Sequence, residues 1–208
     1  MTNETIRRFS YPERIVHGAV GASFVFLLLT GLAFSYPALF WVTTVVGGGA
    51  SARLLHAWVG AVFATALVAM VIVWIRDMRL DAGDWAWLRA VRHYAARRHE
   101  RVPPAGKYNA GQKAFFWLQS VFGVLLVVSG VPLWFPDGGL GVTFGPDLLG
   151  AMRLLHYLGA LGGGLLLIVH IYLGTIAYPG TARGMIDGQV TRRWARHHHP
   201  RWDGPRGT

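Results

Sequence analysis

The chain has 208 residues and is 53% hydrophobic, yet its 20 Lys and Arg against 10 Asp and Glu give a formal net charge of +10. The basic residues stand in blocks between long apolar runs, as in membrane proteins and unlike soluble nucleic-acid-binding domains. The absence of cysteine excludes disulfides, c-type haem attachment and cysteine-ligated iron–sulfur clusters within this chain. We therefore expect one domain over residues 1–208, no nucleic-acid partner, and His, Met or oxygen ligands at any redox centre.

Four apolar runs are each long enough to cross a bilayer as a helix, which takes about 20 residues. The predicted spans are 15–34, 54–75, 114–135 and 154–177. The first run lacks a small-residue cleavage site, so we expect a retained span and no cleaved signal peptide. Clusters such as Ser35-Tyr36-Pro37 and Pro136–Gly139 predict loops between the spans. The expected fold class is an all-α integral membrane protein, a bundle of four transmembrane helices followed by a tail over residues 178–208.

The distribution of positive charge predicts the topology. The N-terminal arm, residues 76–113 and the tail together contain 18 of the 20 basic residues, and only Arg53 and Arg153 fall on the opposite side. By the positive-inside rule, both termini are cytoplasmic in a multi-pass protein of the bacterial inner membrane. Binding of anionic lipid by the same basic blocks is compatible with this topology.

Histidines inside the apolar runs are the candidate metal ligands. Four of the nine histidines lie there, namely His17, His56, His156 and His170. Ionisable residues within a membrane are costly and are usually functional. The predicted topology puts His17 and His170 toward the cytoplasm, and His56 and His156 toward the outer face. We therefore predict an inner pair, His17 with His170, and an outer pair, His56 with His156.

The last span supplies one histidine to each pair. His156 and His170 are 14 residues apart, which separates them by about 21 Å along a helix and by about 40° around it. One mononuclear metal cannot use both, whereas two bis-histidine centres at different depths can. This spacing predicts a stack of two centres across the membrane.

Local sequence favours haem over a bare metal ion. An arginine precedes three of the histidines by three residues, and these are Arg14, Arg53 and Arg153. Each guanidinium can neutralise a haem propionate, or it can simply extend to the membrane interface. Glycines follow the ligands by three or four residues, namely Gly21, Gly60, Gly159 and Gly174. They leave room either for a macrocycle or for close helix packing, and the sequence does not separate the two.

Polar residues open the third span on the cytoplasmic side. Tyr108, Asn109, Gly111 and Gln112 are candidates for binding a quinone, because amides can hydrogen-bond a quinone carbonyl. Capping of the helix N-terminus explains Asn109 and Gln112 equally well. The His197–His199 run fits a basic interfacial tail better than a metal site.

At these residues the chain resembles the cytochrome b, or gamma, subunit of respiratory formate dehydrogenases. The specific segments are Gly106–Lys113, Gly184–Gly188, Arg192–Ala195 and His198–Trp202, and the resemblance covers nearly the whole chain. It implies a four-helix cytochrome with two haem b groups. It also implies an iron–sulfur beta subunit and a molybdenum or tungsten catalytic alpha subunit on the outer face, the latter oxidising formate. In that family, the residues that match His170 and Asn109 contact the quinone.

The resemblance further implies electron transfer from the outer haem to the inner haem and on to menaquinone or ubiquinone near the cytoplasm, in anaerobic respiration. The chain would thus be the quinone-reducing subunit of a formate:quinone oxidoreductase. The alternatives are a cytochrome b subunit of a hydrogenase or thiosulfate reductase, a stand-alone b561-type quinone oxidoreductase, and a histidine-based metal transporter. The quinone type, the catalytic metal and any higher oligomer of the heterotrimer remain open.

Overall fold

The structure is a computed structural model that describes residues 4–96, 98–137, 139, 141, 143–202 and 204, without the side chain of His99. Three residues used in the sequence analysis lie outside this set. They are Arg97 and Arg206 in the basic segments and Gly138 in a predicted loop.

The described part of the chain is nearly all helical, and four of its helices are long and apolar enough to cross a membrane. These four are α1 (Tyr11–Ser35), α2 (Gly49–Trp74), α5 (Ala110–Trp134) and α6 (Pro146–Tyr172). Shorter helices are α3 (Ala82–Arg89), α4 (Val91–Ala95), α7 (Arg183–Ile186) and α8 (Arg192–His198). Mean hydropathy of 1.9 to 2.2 in the four long helices confirms the predicted number of spans.

The helices extend beyond the apolar runs from which they were predicted. Helix α6 begins at Pro146 rather than near residue 154, since Pro146 and the acidic Asp147 suit a helix N-terminus. A 3-10 helix, Pro37–Val46, occupies the connection between α1 and α2, and Gly47 ends it in the left-handed conformation with φ of 88°. Beyond residue 172, α6 continues as a π-helical turn, Leu173–Ala177.

Residue contacts divide the chain into two compact groups. The helix group comprises residues 16–71 and 119–168. The terminal group comprises the chain up to residue 15, residues 72–118 and the chain from residue 169. Each group has its own set of contacts.

In the helix group, the four long helices pack through aromatic and aliphatic side chains. Phe24 of α1 meets Phe63 of α2, with ring centroids 5.8 Å apart. Leu67 of α2 lies directly over Gly123 of α5, where an added Cβ would come within 2.8 Å of its methyl group. A glycine at this point lets the two helices approach closely.

The glycine run Gly162–Gly164 explains how α6 packs. Gly162 faces the ring of Phe122 on α5, while a Cβ at Gly163 would lie 3.0 Å from Phe24 on α1. Gly164 faces Leu28 of α1, at 3.4 Å from the same reference position. The three glycines therefore admit bulky side chains from two neighbouring helices.

In the terminal group, the two ends of the chain form a small sheet that was not predicted. Strand β1 (Thr5–Arg7) pairs antiparallel with β2 (Gln189–Thr191), with Ile6 opposite Val190. The carbonyl of Gly188 then accepts hydrogen bonds from the backbone N–H groups of Arg8 and Phe9 at 2.8 and 3.2 Å. The tail is thus anchored to the N-terminal arm.

A buried ion pair joins α3 to the start of α5 in the same group. Asp81 caps α3 in a reciprocal box with Asp84. Lys113 donates to Asp84 at 2.6 Å, and their side chains are only 9% and 8% exposed. The ion pair therefore fixes α3 against the start of α5.

Candidate functional site

The predicted outer pair of histidines is assembled within the helix group. His56 lies on α2 and His156 on α6, and their ring centroids are 6.3 Å apart at an interplanar angle of 58°. Two collinear metal–imidazole bonds of about 2 Å, with about 1.2 Å from each nitrogen to its ring centroid, would separate the centroids by about 6.4 Å. The spacing of the two rings fits axial ligation of one haem iron.

Hydrogen bonds at Nδ1 fix which nitrogen of each ring can bind a metal. Thr30 Oγ1 lies 2.7 Å from His56 Nδ1, and Ser129 Oγ lies 3.0 Å from His156 Nδ1. Each hydroxyl also donates to a carbonyl of its own helix, Phe26 at 2.8 Å and Leu125 at 2.6 Å. A hydroxyl whose proton goes to its helix carbonyl can accept a hydrogen bond from Nδ1–H, which leaves the Nε2 lone pair for haem iron.

Glycines lie beside both outer rings. A Cβ at Gly31 would lie 3.6 Å from Cε1 of His56, and one at Gly130 would lie 3.3 Å from Cε1 of His156. These two glycines, like Thr30 and Ser129, are not among the site residues predicted from the sequence. The signal was a hydroxyl residue followed by glycine near the C-terminal end of an apolar helix, once in α1 and once in α5.

The glycines predicted from the ligand spacing differ from one another. Gly159 packs against Leu126, which would lie 3.2 Å from an added Cβ, so helix packing explains it. At Gly21, Gly60 and Gly174, an added Cβ would meet no described atom within 4 Å. Packing between described residues therefore does not require glycine at these three positions, and their role beside a macrocycle stays a prediction.

The three predicted propionate arginines have different surroundings. Arg53 and Arg153 are exposed, so their guanidinium groups can reach a ligand at the interface. Arg14 donates through Nε to the carbonyl of Met185 at 3.0 Å and through Nη2 to the carbonyl of Ile186. Arg14 therefore stabilises the C-terminal end of α7, and its propionate role stays a prediction.

The predicted inner ligands lie in different groups, so their pairing remains a prediction. His17 is half-buried on α1 in the helix group. His170 is half-buried on α6 in the terminal group, and its ring stacks on Phe115 with centroids 4.5 Å apart and planes 11° apart. The π-helical turn that follows His170 is a feature often found at functional sites.

The predicted quinone residues form a capped helix start in the terminal group. The backbone N–H of Gln112 donates to Asn109 Oδ1 at 2.9 Å, and the backbone N–H of Asn109 donates to Gln112 Oε1 at 3.0 Å. This reciprocal capping of α5 is the alternative that the sequence left open. Asn109 also bonds Tyr94, while Tyr108 accepts a hydrogen bond from Trp74 Nε1 at 2.7 Å.

A cleft that is partly open to solvent lies beside this helix start. Tyr108, Asn109 and Lys107 line it together with Asp77 and Asp84. Burial raises the pKa of Tyr108 to about 12, although the Lys107 charge opposes that rise, so the phenol keeps its proton near neutrality. Lys107 bridges Glu13 and Asp77 at 3.3 and 3.2 Å, which places three titratable groups in one network.

A buried arginine and histidine hold the tail in place. Arg8 donates to the carbonyl of Lys107 at 2.7 Å and bonds His199 Nε2 at 3.1 Å, while His199 Nδ1 bonds the carbonyl of Gly106 at 2.7 Å. The guanidinium also lies 4.8 Å from the ring centroid of Trp194. Since Arg8 can only donate and a carbonyl can only accept, His199 carries its proton on Nδ1.

Burial determines the protonation of this cluster. It lowers the pKa of His199 to about 3, with the Arg8 charge acting in the same direction, so His199 is neutral near pH 7. It lowers the pKa of Arg8 to about 10, and Arg8 stays charged. His199 is therefore a structural residue at 2% exposure, unlike the basic interfacial tail predicted from the sequence.

The chain is similar to cytochrome b556 subunits of formate dehydrogenases. The chain is 34% identical over 199 residues to the formate dehydrogenase cytochrome b556(fdo) subunit of Escherichia coli K12, covering 96% of this chain and 92% of that protein. It is 32% identical over 204 residues to the nitrate-inducible cytochrome b556(Fdn) subunit of the same strain, covering 96% and 91%. The formate dehydrogenase cytochrome b556 subunit of Haemophilus influenzae is 32% identical over 203 residues, covering 97% and 84%.

A family model described as prokaryotic cytochrome b561 matches residues 8–188. The relatives and this match confirm the resemblance stated from the sequence. Four membrane-length helices in such a family make the chain a multi-pass membrane protein. The chain therefore belongs to the prokaryotic cytochrome b561 family, which implies b-type haem.

Proposed function

We propose that this chain is the membrane-anchoring, di-haem cytochrome b subunit of a formate dehydrogenase, and that it reduces quinone near the cytoplasmic face. The observation that carries the proposal is the His56/His156 pair, whose spacing and Nδ1 hydrogen bonds suit axial ligation of haem iron. The names of relatives that are 32–34% identical over nearly the whole chain support the formate dehydrogenase assignment.

The chain's own residues hold and orient the two groups. His56 and His156 bind the outer haem, and His17 and His170 bind the inner one. The two b haems, when bound, supply one-electron transfer from an iron–sulfur subunit on the outer face to the quinone. Exposed Arg53 and Arg153 stand three residues before the outer ligands and neutralise propionates at the outer interface.

The quinone binds near the start of α5, on the cytoplasmic side predicted from the sequence. Asn109, Gly111, Gln112 and Tyr108 form its polar surroundings together with His170. Asn109 is 8% exposed and caps α5, so it fixes the position of this helix start. Its second role is to contact the quinone.

Protons for the quinone come from the cytoplasm through the cleft beside Tyr108. Lys107, Glu13 and Asp77 form a hydrogen-bonded network at the cleft, and such a network can hold and pass protons. Electrons that arrive from the outer face and protons taken up inside make the reaction electrogenic.

The proposed complex sits in the bacterial inner membrane with both termini of this chain in the cytoplasm. An iron–sulfur beta subunit and a molybdenum or tungsten alpha subunit, where formate is oxidised, lie on the outer face. The excess of basic residues in the terminal segments supports this orientation.

Reduction of the purified complex by formate tests the proposal. We expect b-type haem bands to appear in the visible spectrum of the wild type and of the control His93→Ala, which changes a histidine outside the long helices. His56→Ala should lose the bands of one haem and most quinone reduction. Absence of formate-reducible b haem in the wild type, or an unchanged spectrum in His56→Ala, would refute the proposal.

A cytochrome b subunit of another respiratory complex is the second candidate, because the family description itself names no partner. Copurifying subunits separate the two candidates. A hydrogenase or thiosulfate reductase partner, or no partner at all, would replace the formate dehydrogenase assignment and leave the haem ligands unaffected.

A further inference from the structure

We infer that Thr30 and Ser129 are positioning residues that set the redox potential of the outer haem, each through the Nδ1–H of one axial histidine. The inference rests on the proposed haem ligation by His56 and His156. It concerns two residues that the ligand spacing alone did not identify.

The same arrangement occurs twice in the helix group. Helix α1 contributes Thr30 to the ring carried by α2, and α5 contributes Ser129 to the ring carried by α6. Both hydroxyls are buried, at 2% and 0% exposure. In each case the neighbouring helix, not the helix that carries the ligand, orients the imidazole.

The glycine that follows each hydroxyl lies beside the same imidazole ring. Gly31 and Gly130 come next in sequence and lie against the Cε1 edge of the same rings, at 3.6 and 3.3 Å for an added Cβ. A side chain at Gly130 would force the ring of His156 to give by a few tenths of an ångström. The Thr-Gly and Ser-Gly pairs thus hold each ring from the Nδ1 and Cε1 sides, and Nε2 remains for iron.

The strength of this hydrogen bond affects the metal. An acceptor at Nδ1–H makes the imidazole a better electron donor, which favours ferric over ferrous iron. A hydroxyl that already donates to its own helix is a neutral and moderate acceptor, weaker than a carboxylate. Removing it should make the iron easier to reduce.

Substitutions that remove or keep the hydroxyl test this role. Thr30→Val keeps the shape of the side chain and removes the acceptor, whereas Thr30→Ser keeps the acceptor. Loss of the hydroxyl should change the ferric-to-ferrous preference of one haem by about tenfold, an upward shift in midpoint potential of about 59 mV for one electron. Ser129→Ala should shift the same haem in the same direction, and Thr30→Ser should retain the wild-type potential.

Two control variants remove hydroxyls that, among the described residues, bond only carbonyls of their own helix. Ser23→Ala lies on α1, where Ser23 donates to Ala19 at 2.6 Å, and Thr65→Val lies on α2, where Thr65 donates to Ala61 at 3.0 Å. Neither should move a midpoint potential in a redox titration of the purified complex followed at the haem bands.

The outcomes separate this inference from the proposed function. Wild-type protein without stoichiometric haem refutes the haem assignment itself. Normal haem content with unshifted potentials in Thr30→Val and Ser129→Ala refutes the positioning role and leaves the ligands intact. Haem loss in Thr30→Val supports the role only if Thr30→Ser and Ser23→Ala keep their haem, and loss in all three refutes it.

Discussion

The buried His199 should control whether the C-terminal tail stays bound to the rest of the terminal group. His199→Ala removes a bond of 2.7 Å to the Gly106 carbonyl and a bond of 3.1 Å to the Arg8 guanidinium, from a site of 2% exposure. The half-buried Gly106 carbonyl then loses this partner, and the buried Arg8 keeps its bond to the Lys107 carbonyl; a buried group left unsatisfied costs about 1–3 kcal/mol. A cost of about 3 kcal/mol, the upper end of this range, raises the population of detached tail roughly 150-fold.

Limited trypsin digestion of the detergent-solubilised complex measures this population. Arg192, Arg193 and Arg196 are exposed but lie in α8, so trypsin can cleave there only when the tail detaches and this helix unfolds. When opening and closing are fast, the cleavage rate follows the detached fraction, so the rate should rise by about two orders of magnitude. Mass spectrometry of the released peptides gives the rate at each site.

The matched control is His197→Ala, two residues away on an exposed side chain. It should leave the rate nearly unchanged. Equal rates for the two variants, or a wild-type rate in His199→Ala, would show that the buried hydrogen bonds do not hold the tail.

Three further predictions concern charge and packing. Since burial lowers the pKa of His199 to about 3, the neutral ring stabilises the bound tail above pH 6.5, and this stabilisation is lost as the pH falls. At pH 5 the free energy of tail opening, measured by hydrogen exchange, should be lower by about 2 kcal/mol. The decrease should be absent in His199→Gln. Lys113→Met should lower the free energy of unfolding by about 3–5 kcal/mol by leaving Asp84 buried and unpaired, measured by thermal or chemical unfolding in detergent, with an unchanged value contradicting the pair's role. Gly162→Ala should destabilise the protein by about 1–3 kcal/mol, because the new methyl group would clash with a phenylalanine ring of α5. Gly150→Ala should not, because an added Cβ there meets no described atom outside its own helix within 4 Å, and equal melting curves for the two variants would contradict this.

Features that follow from the local pattern of hydropathy or charge could be predicted from the sequence. The four long helices follow from hydropathy, because lipid requires a helix wherever an apolar run crosses it. The outer pair, His56 with His156, follows from depth, since charge bias assigns a side to each end of a span. The proximity of these two rings needed no knowledge of side-chain packing.

Features that depend on distant parts of the chain could not be predicted. The pairing of Ile6 with Val190 joins positions that no local pattern connects. His199 is one of three consecutive histidines, and only packing against Arg8 distinguishes it from its exposed neighbour His197. Thr30 gives a local signal, but its partner lies on another helix.

A haem count of double variants decides whether two specific histidine pairs hold two haem b groups in this chain. Pyridine haemochrome analysis should give two haems per chain for the wild type. His56→Ala combined with His156→Ala removes one pair and should leave one haem, whereas His56→Ala combined with His17→Ala removes a ligand from each pair and should leave none. The reverse pattern, or equal haem content in the two double variants, would contradict the pairing.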